Sequence, residues 1–248
     1  MGEATRSDLA AFLKDLPPAR SIPLRGASAA VNSSVFPDEV PLWLPETSAR
    51  IPAGLTILKF GSRAIVGSYA GGGEPAVLKY YEPAGIAKHL TYGMLGSRCH
   101  RSWVAGLALG FLGIPTPAPL MVAEWKSLGG LWLSRSFLAT RQATGSPLAK
   151  FAGGLAEGDP LLQRVATSLR EAFSTLARHR AVHGDLKDNN IIVGADGNIS
   201  FIDLDATAFL LPEKEWRPLW DRDRRRFLKN WNNTPHLAAA FRNVFDDA

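Results

Sequence analysis

Between His183 and Asp205 the chain reads His-Gly-Asp-Leu-Lys-Asp-Asn-Asn, two apolar runs around a polar turn, then Ile-Asp-Leu-Asp. This stretch restricts the fold more than any other. Ile191-Ile192-Val193 and Ile199-Ser200-Phe201-Ile202 flank Ala195-Asp196-Gly197-Asn198, a pattern that predicts a short β hairpin. Asn190 enters that hairpin and Asp203 leaves it, so pairing of the strands would bring the two side by side. Asp, Asn and Gly also gather in loops for conformational reasons alone. An isolated Asp–Asn pair would say no more than that. Here Asp185, Lys187, Asn190 and Asp203 are bracketed by apolar strands, which a plain solvated loop does not require.

The spacings are those of a phosphoryl-transfer loop. In the protein-kinase signature a loop Asp takes the acceptor hydroxyl proton and an Asn five residues on holds magnesium, as does a later Asp. Asn190 follows Asp185 by five residues, and Asp203 follows Asn190 by thirteen. A transferring phosphoryl group spreads charge over its oxygens, so the protein mainly positions and neutralises. Hard oxygen ligands suit Mg²⁺, which assigns the metal to Asn190 and Asp203. Asp185 would orient the hydroxyl, and Lys187 would offset charge on the moving group.

Lys79 is a second anchor, in the apolar strand Ala76-Val77-Leu78-Lys79-Tyr80. A lysine there is costly unless it snorkels or meets an anion such as a nucleotide phosphate. The alternative is an edge-strand charge that discourages aggregation. The segment Gly61-Ser62-Arg63-Ala64-Ile65-Val66-Gly67 lacks the G-x-G-x-x-G pattern. Its Ser62 and Arg63 either touch phosphates or belong to an ordinary hairpin turn.

With 248 residues, 46% of them hydrophobic, the chain can bury a core as one domain or two lobes. A formal charge of +5 suits anionic partners such as nucleotides, phosphorylated glycolipids or a negative membrane surface. Cys99 stands alone, which excludes an internal disulfide and fits a reducing compartment. No paired Cys or His spacing suggests zinc, and Met1–Arg20 lacks the apolar core of a secretory signal. Ser102–Ala123 is uncharged over 22 residues, but its Gly and Pro content predicts a helix near His100–Leu112 and then a strand.

The expected architecture is α+β and bilobal, protein-kinase-like. Residues 1–50 read as an N-terminal extension with a short helix at Ser7–Asp15. Residues 51–141 read as a small lobe with one helix and five antiparallel strands, at Leu55–Phe60, Ala64–Tyr69, Ala76–Tyr81, Leu120–Trp125 and Leu131–Ala139. Residues 142–248 read as a compact, mainly helical large lobe. It opens with a Gly/Ala/Ser-rich connector and a helix capped by Asp159, with Leu161, Leu162, Val165, Leu169, Phe173 and Leu176 on one face. The basic run Arg222–Lys229 either meets anionic acceptor groups or a membrane, or is a solvated helix face.

Several runs resemble the bacterial lipopolysaccharide core kinase family, which includes Kdo and heptose kinases. They are Leu58-Lys59-Phe60-Gly61-Ser62-Arg63, Val77-Leu78-Lys79-Tyr80-Tyr81, Arg101-Ser102-Trp103, Leu112-Gly113-Ile114-Pro115-Thr116-Pro117-Ala118-Pro119-Leu120 and Arg135-Ser136-Phe137-Leu138. With the His183–Asp205 motifs, the resemblance spans residues 52–232. It implies ATP and Mg²⁺ as cofactors and a sugar hydroxyl of the lipopolysaccharide core or lipid A glycolipid as acceptor. It also implies work at the cytoplasmic face of the inner membrane, with peripheral contact to anionic lipid. Asp185 would be the base, Asn190 and Asp203 metal ligands, and Lys79 the phosphate anchor. Backbone around Ala139–Gln142, Arg141 included, would take adenine at the hinge position, and His183 would support the loop by hydrogen bonding.

The chain departs from protein kinases in three places. Gly184 stands where they carry Arg, Asp205 where they carry Gly, and no acid lies between Glu82 and Glu124 to pair with Lys79. No Ala-Pro-Glu motif follows, which argues against a protein substrate. Competing functions are another small-molecule kinase of the aminoglycoside or choline type and a membrane scaffold without turnover. Nucleic-acid binding is the weakest alternative, and no nucleic acid is expected as a partner, because the basic residues lack interleaved aromatic platforms.

Overall fold

The computed structural model describes residues 3–16 and 18–246. In chain order its first elements are α1 (Arg6–Asp15), β1 (Ala19–Leu24), β2 (Ala27–Asn32), α2 (Trp43–Ala49), β3 (Thr56–Gly61), β4 (Ala64–Tyr69) and β5 (Ala76–Tyr81). Then come α3 (Gly85–Leu95), α4 (Arg98–Phe111), β6 (Pro119–Ser127), β7 (Trp132–Arg141), β8 (Ser146–Pro147), α5 (Leu148–Ala152) and α6 (Pro160–Arg178). The last are β9 (Ile191–Val193), β10 (Ile199–Phe201), α7 (Glu213–Lys229) and α8 (Pro235–Phe241). The chain divides into two units. One is Leu16–Leu107 with Ala118–Gln142; the other holds the residues up to Asp15, Ala108–Pro117 and the chain from Ala143 on.

The first unit is built on a seven-stranded antiparallel sheet in the order β1-β2-β6-β7-β5-β4-β3. Val31, Leu44, Leu78, Met121 and Phe137 form its apolar core. The sequence predicts five strands and one helix here, and the structure corrects both. The two extra strands, β1 and β2, come from residues read as an extension. Their side chains are mostly small or polar, so their period of two is faint, yet Ala29 and Val31 point into the core. Pro23 cannot donate to a ladder, which suits β1 to its place at the sheet edge. Asn32 ties β2 to β6, its Nδ2 donating to the Pro119 carbonyl at 2.9 Å. The extra helices are α2, from the same N-terminal segment, and α3. The apolar Ile86, Leu90 and Met94 of α3 are exposed rather than buried, so no inward stripe marks it in the sequence.

The second unit carries α6, with Asp159 accepting from the Leu161 N–H at 2.8 Å as an N-cap. Leu162, Val165, Leu169, Phe173 and Leu176 of α6 are buried. Phe173 anchors an aromatic cluster, its ring 4.3 Å from Phe245, 5.6 Å from Phe227 and 6.0 Å from Phe201. Phe201 belongs to a three-stranded sheet in the order β10-β9-β8, in which Phe201 pairs with Ile191. The predicted hairpin is therefore present, and its apolar residues hold it on the core. Among the described residues no helix is long and apolar enough to cross a membrane.

Candidate active site

The loop before β9 is fixed by four hydrogen bonds to backbone groups. His183 is buried and its Nε2 lies 3.1 Å from the Ile202 carbonyl. Burial lowers the pKa of this imidazole, against the opposing pull of Asp223, the Ile202 carbonyl, Asp185 and Asp203. A neutral ring must donate from Nε2 to a carbonyl, so its Nδ1 is the acceptor for the Asp185 N–H at 3.4 Å. Gly184 comes next, with φ of +82°. A Cβ there would run into the Ala206 carbonyl. That close approach explains why glycine replaces a bulkier residue at this position. The Gly184 N–H donates to Asp223 Oδ2 at 2.7 Å, and its carbonyl accepts from Arg222 at 3.1 Å.

Asp185 is held by three donors. Lys187 Nζ sits 2.9 Å from Oδ2, and Asn190 Nδ2 donates to Oδ2 at 3.1 Å and to the Asp185 carbonyl at 2.8 Å. Arg226 Nη1 donates to Oδ1. Desolvation works against the Asp185 charge, but Lys187, Asn190 and Arg226 outweigh it and hold the carboxyl below its ordinary range. Asn190 is buried. Its amide must turn Nδ2 toward the carbonyl and the carboxylate, which leaves Oδ1 without a donor among the described residues. Asn190 thus presents a hard oxygen of the kind Mg²⁺ takes. The hairpin joins it to Asp203 through the Ile202 N–H, which donates to the Asn190 carbonyl at 2.9 Å. Asp203 adopts the left-handed conformation at φ +61°, which for a non-glycine residue costs about 1 kcal/mol. All four polar positions predicted in this stretch are therefore brought together in one unit.

Asp223, Arg222 and Arg226 join this loop from α7, beyond the reach of the motif spacings. Asp223 carries the clearest overlooked signal. Trp216, Trp220, Asp223 and Phe227 are the buried face of α7, so a carboxylate occupies an otherwise aromatic stripe. A charge in that place needs a buried partner, and the Gly184 N–H supplies one.

The predicted nucleotide residues lie in the sheet unit. Lys79, in β5, pairs in register with Val66 and Leu138. Ser62 and Arg63 form the turn between β3 and β4, and Arg63 Nη1 donates to the Pro83 carbonyl at 2.9 Å. Both line a cavity of about 280 Å³ with Arg50, Tyr80, Trp125 and Phe137. Side chains alternate along a strand, so the Tyr80 wall of this cavity belongs to the sheet face opposite Lys79. Ala139 is fully buried and has only backbone to offer. The Arg141 guanidinium pairs with Glu74 at 3.0 Å. The N–H groups of Arg141 and Gln142 donate to Ala118 and Pro75. A ligand at this strand end would have to use other backbone groups.

An antiparallel sheet unit and a helical unit bearing this loop make an α+β fold. The chain is similar in structure to a solved chain described as WaaP in complex with acyl carrier protein. The TM-score is 0.59 at 15% identity, over 92% of this chain and 89% of that one. At that identity the likeness establishes a shared fold. No protein-family model and no curated protein matches the sequence.

Proposed function

We propose that the protein transfers the γ-phosphoryl group of ATP to a sugar hydroxyl, Kdo or heptose, of the lipopolysaccharide core. The observation that carries this is the Asp185 carboxylate, held ionised by Lys187, Asn190 and Arg226 at the mouth of the β9–β10 hairpin. WaaP, which shares the fold, is a lipopolysaccharide core heptose kinase, and the sequence resemblance points to the same class. Asp185 would receive the hydroxyl proton and Lys187 would face the transferring group. Asn190 and Asp203 would hold Mg²⁺, which when bound neutralises phosphate charge. Lys79 would bind the nucleotide phosphates. Ser62 and Arg63 would contact them only from the β3–β4 turn, and Ala139 and Arg141 would meet adenine through backbone groups.

On this proposal residues 51–141 and 142–248 are the small and large lobes, and residues 1–50 contribute two strands to the former. The lipid-linked acceptor places the enzyme at the cytoplasmic face of the inner membrane. The test is label transfer from γ-labelled ATP with Mg²⁺ to Kdo-bearing lipid A. Label on the glycolipid that falls by roughly 10²–10⁴-fold in Asp185→Ala is expected, the loss typical of a missing general base. Mg-dependent ATP binding without label on any core sugar would refute the acceptor class.

A further inference from the structure

Both oxygens of Asp185 are occupied. Oδ2 takes Lys187 and Asn190, whose places are set by the loop itself. Oδ1 is the oxygen left for an incoming hydroxyl, and Arg226 from α7 stands on it. That contact is not forced by packing: the Arg226 side chain is 42% exposed, so its long stem can swing away. On α7, Arg222, Arg226 and Lys229 recur at helical spacing on one face, with Arg225 beside them. Arg222 is committed to the Gly184 carbonyl and pins the helix to the loop. Arg225 and Lys229 are exposed and have no hydrogen bond or ion pair among the described residues. Arg226 also lacks a competing acid on its own helix, since Asp223 turns inward to Gly184 and the other neighbours at i±4 and i+3 are Arg222, Asn230 and Lys229.

We infer that Arg226 is a removable cap on the base and reads a negative group on the acceptor. A carboxylate or phosphate beside the reacting hydroxyl pairs with Arg226 and draws it from Oδ1. The same event seats the hydroxyl on the freed oxygen. Lys229 and Arg225 extend the cationic face for such a group, and a neutral sugar leaves the cap in place. This rests on the kinase reading for the role of Asp185, but its decisive test is binding.

Whole protein with Mg²⁺ and a non-hydrolysable ATP analogue is titrated calorimetrically with two sugar pairs. One is Kdo methyl glycoside against its methyl ester; the other is a heptose phosphate against the free heptose. Wild type should bind at least one charged sugar roughly tenfold or more tighter than its neutral twin, the size of one charged hydrogen bond. The pair that discriminates identifies carboxylate or phosphate as the group read. Arg226→Gln should erase most of the difference and Arg226→Lys should restore it. Equal binding of charged and neutral sugars by wild type, or full discrimination kept by Arg226→Gln, would overturn the inference. Where transfer is measurable, Arg226→Gln should raise KM for the charged acceptor more than it lowers kcat. Absence of transfer by wild type would count against the kinase reading alone, with the binding comparison still deciding Arg226. An unchanged melting temperature of the Gln variant separates the effect from misfolding.

Discussion

Gly184 shows how narrowly the loop is specified. Its positive φ and the closeness of the Ala206 carbonyl both penalise a side chain, while its own N–H and carbonyl are held by Asp223 and Arg222. Gly184→Ala should therefore cost about 1–3 kcal/mol, the range for a residue forced into a rare backbone conformation. Urea unfolding would measure it, and a loss within 0.5 kcal/mol would mean that the loop relaxes freely. Motif spacing made Asp185, Lys187, Asn190 and Asp203 legible, because chemistry dictates their separations along one segment. Arg226 and Asp223 were hidden because they reach the loop from a helix some forty residues away in the chain.

Helix α4 begins with two linked contacts. The His100 N–H donates to Ser97 Oγ at 3.0 Å, and the Ser97 N–H donates to the Glu124 carboxylate at 2.8 Å. Lys126 pairs with the other Glu124 oxygen at 2.9 Å. A negative charge there also complements the positive end of the helix. Desolvation opposes the Glu124 charge, but Lys126, Ser97 and His100 prevail and lower its pKa. A carboxyl lowered on folding contributes stability above its unfolded pKa and loses it as pH falls through the folded one. Glu124→Gln should thus be less stable by about 1.5–3 kcal/mol at neutral pH, with the deficit shrinking once pH drops below the ordinary glutamate value of 4.5. Urea melts at both pH values would show it, and a pH-independent deficit would assign the effect to shape rather than charge.

At the scale of the molecule, the proposed function assigns the nucleotide phosphates to Lys79 and the metal to Asp203. A ligand that binds the native protein alone should stabilise it by mass action, about 2.7 kcal/mol at a concentration a hundredfold above Kd. Mg²⁺ with an ATP analogue should raise the melting temperature of wild type, and Lys79→Ala and Asp203→Ala should each abolish most of that rise. A full shift retained by either variant would remove that residue from the nucleotide site.

Local pattern alone determined the β9–β10 hairpin, the α6 helix with its Asp159 cap and the polar quartet at 185–203, since each depends on neighbours in sequence. Strands β1 and β2 were decided by tertiary structure: Ala, Ser and Arg side chains have weak strand preference, and only the open edge of β6 gives β2 a partner, on which β1 then pairs. The same holds for the cap on Asp185. Which cation meets a carboxylate is settled by where two distant segments pack, and no local spacing encodes that.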